Sequence, residues 1–285
     1  MFGKVAKILG GKVKSMATGS APIDKAVLDF LKVCFCCPIL EGYGLSETAA
    51  GGTRTSKEDL ECTGHVGGPS GIVKLRMKDL PEMNYLTSDK PYPRGEICFY
   101  GPTIFEGYYK RPDLTAEAFD DEGWFLSGDV GVLYPNGAIR IIDRSKNIFK
   151  LSQGEYIAPE KLENIYVQSR FILQIMVCGD SLKNCTVAII VPDEEQVKLW
   201  AELNGKMENA LSDPDLKKEI MEDMNQLAIH NKLSGLEKPK EISFATEPFS
   251  IENGILTPTM KLKRNIGKKV YQEQIDKMYS DLENQ

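Results

Sequence analysis

One short segment of this sequence carries several side chains that could contact a flat, phosphorylated ligand. It is Glu41-Gly42-Tyr43-Gly44-Leu45-Ser46-Glu47-Thr48, whose glycines let the backbone approach a ligand closely. Tyr43 offers a ring to stack on a base, Glu47 an oxygen ligand for Mg²⁺, and Thr48 a hydroxyl for a phosphate oxygen. A glycine turn with a solvated glutamate would have the same sequence, so this segment alone leaves both interpretations open.

Two charged residues further along the chain could bind a ribose. Asp129, in Gly128-Asp129-Val130-Gly131, is predicted to lie between a glycine turn and a strand, where a carboxylate can accept two hydrogen bonds from vicinal hydroxyls. Arg144 ends an apolar stretch and can donate several hydrogen bonds to ribose or phosphate. The alternatives are a turn residue for Asp129 and a solvated linker for Arg144.

A basic segment near the C-terminus contains a third set of candidates. It is Leu256-Thr257-Pro258-Thr259-Met260-Lys261-Leu262-Lys263-Arg264. Its charge pattern does not single out Lys261 from Lys263. From the residues alone it is predicted to be a basic surface loop before a helix.

The elements that position these segments begin with a β-α-β unit. Residues 12–17 form a strand candidate, residues 23–31 have apolar positions at helical spacing after Pro22, and residues 33–40 form a buried strand candidate. Such a unit predicts a parallel sheet with helices packed on it. The Tyr43 segment would then follow the carboxyl end of a strand, where open α/β sheets bind ligands.

The rest of the chain predicts an α/β protein of two domains. Residues 68–143 contain short strand candidates and a strong turn at Pro135-Asn136-Gly137. We expect residues 1–144 to combine the β-α-β piece with small β-barrel-like strands, and residues 145–285 to form a small α+β domain. The elements predicted for that domain are a helix from Pro159, paired strands at 171–178 and 185–191, and helices at 194–203, 215–233 and 266–282.

Composition argues against several classes of protein. With 41 acidic and 35 basic residues and a net charge of -6, nucleic acid is not expected as a partner. No apolar run approaches the roughly 20 residues that span a bilayer, and the first residues lack the uninterrupted apolar core that is typical of a signal peptide. The 7 cysteines fit free thiols in a reducing compartment. We interpret the close group Cys34, Cys36 and Cys37 as small apolar residues rather than metal ligands. The expected location is the cytoplasm or the cytosolic face of an intracellular membrane.

In this order, the segments resemble those of the adenylate-forming superfamily, which includes acyl-CoA synthetases, adenylation domains and beetle luciferases. Residues 122–146 are similar to the signature of fatty acyl-CoA synthetases almost throughout, and residues 149–163 are similar to the eukaryotic long-chain subgroup. Residues 19–22, 43–48 and 95–110 also fit family motifs. The resemblance covers nearly the whole chain. It implies a long-chain fatty acid–CoA ligase, of which residues 1–144 would be the C-terminal part of the large AMP-binding domain and residues 145–285 the small mobile domain.

The resemblance implies a reaction in two steps, with roles for individual residues. A fatty acid carboxylate would attack the α-phosphate of ATP, giving an acyl-adenylate and pyrophosphate, and coenzyme A would then displace AMP. Glu47 would hold Mg²⁺, Asp129 and Arg144 would bind the ribose, and Lys261 would bridge the carboxylate and the α-phosphate. The residues that would frame the adenine are Gly19, Ser20, Ala21, Pro22, Gly42 and Tyr43, and Gly44 would also belong to the cofactor-binding residues.

The same resemblance assigns positions in the small domain and its hinge. Lys146 would be the hinge about which the small domain rotates between the two steps. Gly154 would lie in the loop that borders the pantetheine channel. The glycine that usually precedes the catalytic lysine is Met260 here, a pattern also seen in the long-chain subgroup.

One departure from the family limits these expectations. The family has a Ser/Thr/Gly-rich phosphate loop with a lysine upstream of the Tyr-Gly-x-x-Glu motif, and residues 16–22, the nearest candidate, already belong to another motif. We therefore expect the chain to be the back part of a larger protein and to make little or no acyl-CoA alone. Two alternatives are a ligase for another carboxylic acid and a non-catalytic remnant that binds a nucleotide or a partner protein. Peripheral membrane association through the missing region is left open.

Overall fold

The chain divides into two compact units, Met1–Lys146 and Asn147–Gln285. The computed structural model describes residues 2–58, 63–206 and 210–284. The boundary predicted from the sequence, after Arg144, falls at the last residue of a strand, just before the observed division. The assignment of the two units to a large and a small domain of a ligase stays a prediction.

The described residues of the first unit form two four-stranded sheets and their helices. In chain order the elements are α1 (Phe2–Ile8), β1 (Met16–Thr18), α2 (Lys25–Phe35), β2 (Ile39–Tyr43), β3 (Thr53–Arg54), β4 (Gly68–Pro69), β5 (Lys74–Lys78), β6 (Arg94–Tyr100), α3 (Pro112–Ala118), β7 (Phe125–Leu133) and β8 (Ile139–Arg144). The first sheet has the order β1-β2-β3-β4 and the second the order β5-β6-β7-β8. Strands β1 and β2 are parallel and α2 connects them, which confirms the predicted β-α-β unit.

Helix α2 begins and ends later than the sequence predicts. Asp24 is its N-cap, and its carboxylate accepts hydrogen bonds of 2.8 and 3.2 Å from two backbone N–H groups of the first turn, so Pro22 lies before the helix. The helix ends at Phe35 and is followed by the C-cap Cys36, which has a left-handed φ of 54°. The strand predicted at 33–40 is therefore wrong for residues 33–35, which are helical. A short apolar run fits the end of a buried helix as well as a strand.

The second sheet is antiparallel throughout and encloses an apolar core. Its buried members are Val73, Ile97, Phe99, Ala118, Phe125 and Ile139. Strand β7 begins at Phe125, so Asp129 lies inside a strand rather than before one as predicted. The register between β7 and β8 shifts between Val130 and Gly131, one residue after Asp129. A bulge of this kind bends a strand and changes the direction of the neighbouring side chains.

The second unit is built on a three-stranded sheet with apolar contacts on both faces. Its elements are β9 (Phe149–Lys150), β10 (Tyr156–Ile157), α4 (Pro159–Tyr166), β11 (Ile172–Cys178), β12 (Val187–Pro192), α5 (Glu194–Asn204), α6 (Pro214–His230), β13 (Ile242–Phe244), α7 (Arg264–Val270) and α8 (Gln272–Glu283). Strands β11 and β12 pair, as predicted, and their orientation is antiparallel. Strand β13 joins β12 in parallel. Val177 and Ile190 belong to one apolar cluster, and Met176 and Ile189 to the other. This explains the nearly continuous apolar runs of the two strands.

One predicted helix of the second unit is two helices. The segment 266–282 is divided at Tyr271, which ends α7 and precedes α8. Tyr271 is buried, and its ring lies against that of Phe249 with centroids 5.8 Å apart. Among the described residues, none of the helices combines the length and apolar character needed to cross a membrane.

Candidate functional site

The centre of the candidate site in the first unit is an acid and a base on neighbouring strands. Asp129 on β7 and Arg144 on β8 are directly opposite each other in the antiparallel ladder, so their side chains leave the same face. The Nε atom of Arg144 lies 3.2 Å from Oδ1 of Asp129. The Asp129 side chain is 6% exposed and that of Arg144 is 50% exposed. The pair therefore has a buried acceptor and an accessible donor.

The second carboxylate oxygen of Asp129 is bound by a tyrosine. The hydroxyl of Tyr43 donates to Oδ2 of Asp129 over 2.6 Å. Burial, followed by the negative charge of Asp129, raises the pKa of Tyr43 well above its usual range. The hydroxyl is therefore protonated at neutral pH and is a donor to the carboxylate. The sequence predicted a ring for stacking at Tyr43 and gave no indication of this bond.

The glycines predicted to frame an adenine come together at one end of the first sheet. Gly19 follows β1 and Gly42 lies in β2. A Cβ atom added to Gly19 would lie 3.0 Å from the carbonyl oxygen of Gly42, so the two backbones are close. Ser20 has a left-handed φ of 70°, which turns the chain toward Ala21 and Pro22. Glycine permits this close approach of the two backbones, and the adenine contact of these residues stays a prediction.

Glu47 and Thr48 share a single 3₁₀ turn at Ser46–Thr48. Thr48 is fully buried, and its hydroxyl accepts a 2.9 Å hydrogen bond from the N–H of Leu45 and donates a 3.1 Å bond to the carbonyl of Leu45. The hydroxyl therefore holds the turn in shape, and its contact with a phosphate stays a prediction. Glu47 is half-buried, and its Oε1 accepts a 2.7 Å hydrogen bond from the hydroxyl of Tyr108.

The oxygen chemistry of Glu47 fits the predicted Mg²⁺. Protein sites for Mg²⁺ commonly supply one or two carboxylates, and water and substrate phosphates complete the shell. Within residues 2–58, 63–206 and 210–284, no group of three or more His, Cys, Asp or Glu side chains could hold a metal ion. An ion at Glu47 would therefore need ligands from a bound phosphate.

Among the three neighbouring cysteines, Cys34 and Cys37 are buried and Cys36 is exposed at the end of α2.

Sequence reasoning missed two residues that support this site. Oε1 of Glu96 accepts a 2.9 Å hydrogen bond from the N–H of Gly128, the residue before Asp129. Burial raises the pKa of Glu96 above its usual range. Tyr108 contacts Glu47 as described. Both residues lie in the stretch 95–110 that carries a family resemblance, but no local spacing indicates their distant partners.

In the second unit, Lys261 lies at the end of a closed loop. Leu256 pairs with Leu262 as an isolated bridge, the N–H of Thr257 donates to the carbonyl of Lys261 over 2.8 Å, and the N–H of Lys261 donates to Oγ1 of Thr257 over 3.0 Å. Met260 has a left-handed φ of 61°, a conformation that favours glycine. This left-handed conformation explains why glycine is usual at this position in the family. Lys261 is exposed.

An ion pair anchors the loop that carries Lys261. Arg264, three residues after the lysine, binds the carboxylate of Glu163 through both terminal nitrogens, and the Nη1–Oε1 distance is 2.7 Å. The two side chains are only 10% and 12% exposed. Oε1 of Glu163 also accepts a 2.7 Å hydrogen bond from the N–H of Val177. The pair therefore joins α7 to α4 and β11.

Two further predicted residues lie at the start of the second unit and just before it. Lys146 is the last residue of the first unit. Gly154, with φ of 94°, lies in the turn between β9 and β10, where its N–H donates to the carbonyl of Leu151 over 2.9 Å. The hinge role of Lys146, the channel role of Gly154 and the catalytic role of Lys261 stay predictions.

Comparison with known proteins finds similar sequences over nearly the whole chain. The family model described as AMP-binding enzyme matches residues 3–109. The peroxisomal long chain acyl-CoA synthetase 7 of Arabidopsis thaliana is 45% identical over 99% of this chain and 41% of its own length. The human long-chain-fatty-acid–CoA ligase 1 is 45% identical over 99% of this chain and 40% of its own length.

Solved structures match the same chain in three dimensions. The adenylation domain of a carboxylate reductase from Mycobacterium chelonae has a TM-score of 0.83 at 32% identity, over 98% of this chain and 41% of that one. The equivalent domain from Segniliparus rugosus, in complex with AMP and a co-purified carboxylic acid, has a TM-score of 0.82 at 34% identity, over the same shares.

The fold is therefore the α/β fold of adenylation domains, as predicted. Residues 3–109 are similar to the AMP-binding enzyme family, and the curated relatives of the chain are named as long-chain acyl-CoA synthetases and long-chain-fatty-acid–CoA ligases. It spans about two fifths of the length of those relatives.

Proposed function

We propose that this chain provides the ribose-binding residues and the catalytic lysine of an ATP-dependent long-chain fatty acid–CoA ligase. The observation that carries the proposal is the buried Asp129 carboxylate, whose oxygens face Tyr43 and Arg144. A fixed acceptor of this kind suits the two vicinal hydroxyls of a ribose. The names of the curated relatives support a long-chain fatty acid as the acid that is activated.

The chemistry explains why such a site needs a cation on a loop. A carboxylate is a poor electrophile, and a mixed anhydride with AMP gives its carbonyl carbon a good leaving group. In the first step the carboxylate oxygen bonds to the α-phosphorus and pyrophosphate leaves. In the second step the coenzyme A thiolate bonds to the carbonyl carbon and AMP leaves. Negative charge develops on the α-phosphate in the first step, and the ammonium of Lys261 would stabilise it.

The substrates of the proposed enzyme are a fatty acid, ATP and coenzyme A, with Mg²⁺ as cofactor. When bound, Mg²⁺ neutralises charge on the phosphates, and Glu47 would be its protein ligand. We also propose a cytoplasmic location or the cytosolic face of an intracellular membrane. A second candidate is the activation of a different carboxylic acid, because the Segniliparus rugosus domain, at 34% identity, binds AMP together with a carboxylic acid.

Calorimetric titration of the purified chain with AMP tests the ribose site. We expect Asp129→Ala to weaken AMP binding by about tenfold or more, since a charged hydrogen-bond acceptor is lost. The matched control is Arg140→Ala, which removes an exposed arginine from the same strand as Arg144 and should leave AMP affinity unchanged. Equal affinity of the Asp129 variant and the wild type would contradict the proposal.

A second assay measures acyl-CoA formation from palmitate, ATP and coenzyme A. We expect little or no turnover by this chain, because its sequence lacks the phosphate loop of the family. Turnover near that of full-length relatives would overturn this expectation without affecting the AMP result.

A further inference from the structure

Tyr108 and Glu47 form a hydrogen bond across two loops of the first unit. The phenol donates to Oε1 of Glu47 over 2.7 Å, although the residues are separated by 61 positions. The structure pairs Glu47 with no lysine or arginine within the described ranges 2–58, 63–206 and 210–284. The hydrogen-bond donor that orients the carboxylate is therefore an uncharged hydroxyl.

The loop that carries Tyr108 is fixed at several points. The N–H of Phe105 donates to the carbonyl of Glu47 over 2.8 Å. The Phe105 and Tyr108 rings meet edge to face with centroids 4.8 Å apart. The N–H of Tyr108 donates to Oγ1 of Thr115 in α3 over 2.9 Å. The position of the phenol is thus set by backbone, ring and helix contacts and does not depend on the Glu47 bond alone.

We propose that Tyr108 is a positioning residue for a divalent cation bound at Glu47. This inference rests on the proposed metal role of Glu47. An ionised carboxylate has about four lone-pair positions, so one hydrogen bond to Oε1 leaves several free for a cation. A fixed donor restricts the carboxylate to one rotamer and directs those lone pairs. Hydrogen-bond partners of metal-binding carboxylates commonly change metal affinity by about 10–100-fold when they are removed.

The protonation state of Tyr108 agrees with this role. Burial and the hydrogen bond to Glu47 raise the pKa of Tyr108 to about 12. The phenol is therefore a neutral donor at neutral pH. A lysine or arginine in the same place would compete with the cation for the carboxylate, whereas a phenol does not.

The test compares ATP affinity of the purified chain in saturating Mg²⁺ with its affinity in EDTA. The ratio of the two dissociation constants measures the coupling between metal and nucleotide. Tyr108→Phe keeps the ring on Phe105 and removes only the hydroxyl. Tyr109→Phe is the matched control, because the Tyr109 side chain is 87% exposed. Glu47→Gln tests the metal ligand itself, and thermal unfolding checks that each variant folds.

We expect Tyr108→Phe to reduce the Mg²⁺ coupling ratio about tenfold with the EDTA affinity unchanged, whereas Tyr109→Phe should match the wild type. If Glu47→Gln loses the Mg²⁺ coupling and Tyr108→Phe keeps it in full, the positioning role of Tyr108 is overturned, whereas the metal role of Glu47 stands. Full coupling in Glu47→Gln would overturn the metal role of Glu47 and this inference with it, while leaving the ribose site intact. A chain that binds ATP in neither buffer would contradict the proposed function and the inference together.

Discussion

The Tyr43 hydroxyl and the Asp129 carboxylate, 86 positions apart in the sequence, are joined by a 2.6 Å hydrogen bond. Tyr43 ends β2 of the mixed sheet, and Asp129 lies in β7 of the antiparallel sheet. The two sheets are also linked by backbone hydrogen bonds between Ile139 and residues 66–67. The position of the candidate ribose acceptor therefore depends on the packing of one sheet against the other. A substitution that alters this packing should also alter the orientation of the Asp129 side chain.

The first prediction concerns this bond. Tyr43→Phe keeps the ring and removes the donor that holds Oδ2 of Asp129. Because a hydrogen bond to a charged group contributes about 1.5–3 kcal/mol, we expect AMP affinity to fall by about tenfold or more as the carboxylate loses its orientation. Calorimetric titration measures the change. Tyr100→Phe, at a half-exposed tyrosine of the sheet that contains Asp129, serves as control. A Tyr43 variant that binds AMP as tightly as the control would contradict the prediction.

The parts of the fold that were predictable have local signals. The β-α-β unit and the β11–β12 pair follow from apolar runs separated by turn residues. The residues of the candidate site were found by their types and by family resemblance. Their partners were not found, because the Tyr43–Asp129 and Tyr108–Glu47 bonds join residues 86 and 61 positions apart, and no periodicity encodes such contacts.

The wrong boundaries also have a physical reason. Residues 33–35 are apolar enough for a strand, and the Asp24 cap shifts the helix so that it includes them. The division between α7 and α8 falls at Tyr271, whose ring is buried against Phe249. Tertiary packing overrides the helical pattern there. Both errors concern where an element ends, which depends on caps and contacts more than on composition.

The second prediction is a pH dependence from Glu96. Burial raises its pKa in the folded chain, so the folded state binds more protons than the unfolded state between the ordinary glutamate pKa and the raised one. The contribution of Glu96 to stability is therefore present at low pH and is lost as pH rises through that window. Glu96→Gln cannot ionise and retains an acceptor for the N–H of Gly128. Relative to the wild type, we expect this variant to gain stability between pH 4 and pH 7.

Urea unfolding at several pH values in that range measures the effect. Glu106→Gln, at an exposed glutamate of the same unit, is the control. A stability difference between Glu96→Gln and the wild type that stays constant with pH would show that Glu96 ionises alike in both states.

The third prediction concerns the buried ion pair of the second unit. Arg264→Ala removes the positive charge that is paired with the buried Glu163 carboxylate, since both side chains are nearly inaccessible. We expect the free energy of unfolding to fall by about 3–5 kcal/mol. The control is Arg170→Ala, because the Arg170–Glu219 pair is exposed at 62% and 43% and such pairs contribute about 0–1 kcal/mol. Unfolding followed by Trp200 fluorescence, in a Trp124→Phe background, distinguishes the two. Similar losses for both variants would contradict a special role for Arg264.

The last prediction concerns the backbone beside Lys261. Met260 is 63% exposed and has a φ of 61°, so truncating its side chain loses little packing while the backbone stays left-handed. Met260→Gly and Met260→Ala both remove the side chain, and only glycine adopts this φ without steric cost. A residue with a Cβ is disfavoured there by about 1–2 kcal/mol, and glycine loses about 0.4–1 kcal/mol through the entropy of the unfolded chain. We therefore expect the glycine variant to be the more stable of the two by up to about 1.6 kcal/mol.

The same pair of substitutions at Thr259 provides the control. Thr259 is exposed and is not among the residues with positive φ, so there the alanine variant should be the more stable because glycine has only its entropic cost. Urea unfolding of the four variants, again followed by Trp200, measures both differences. If the stability difference between the glycine and alanine variants has opposite signs at positions 259 and 260, the left-handed backbone sets the preference for glycine before the lysine. If this difference has the same sign at both positions, a Cβ atom at Met260 carries no steric cost. Methionine in place of glycine would then have no structural consequence for the loop.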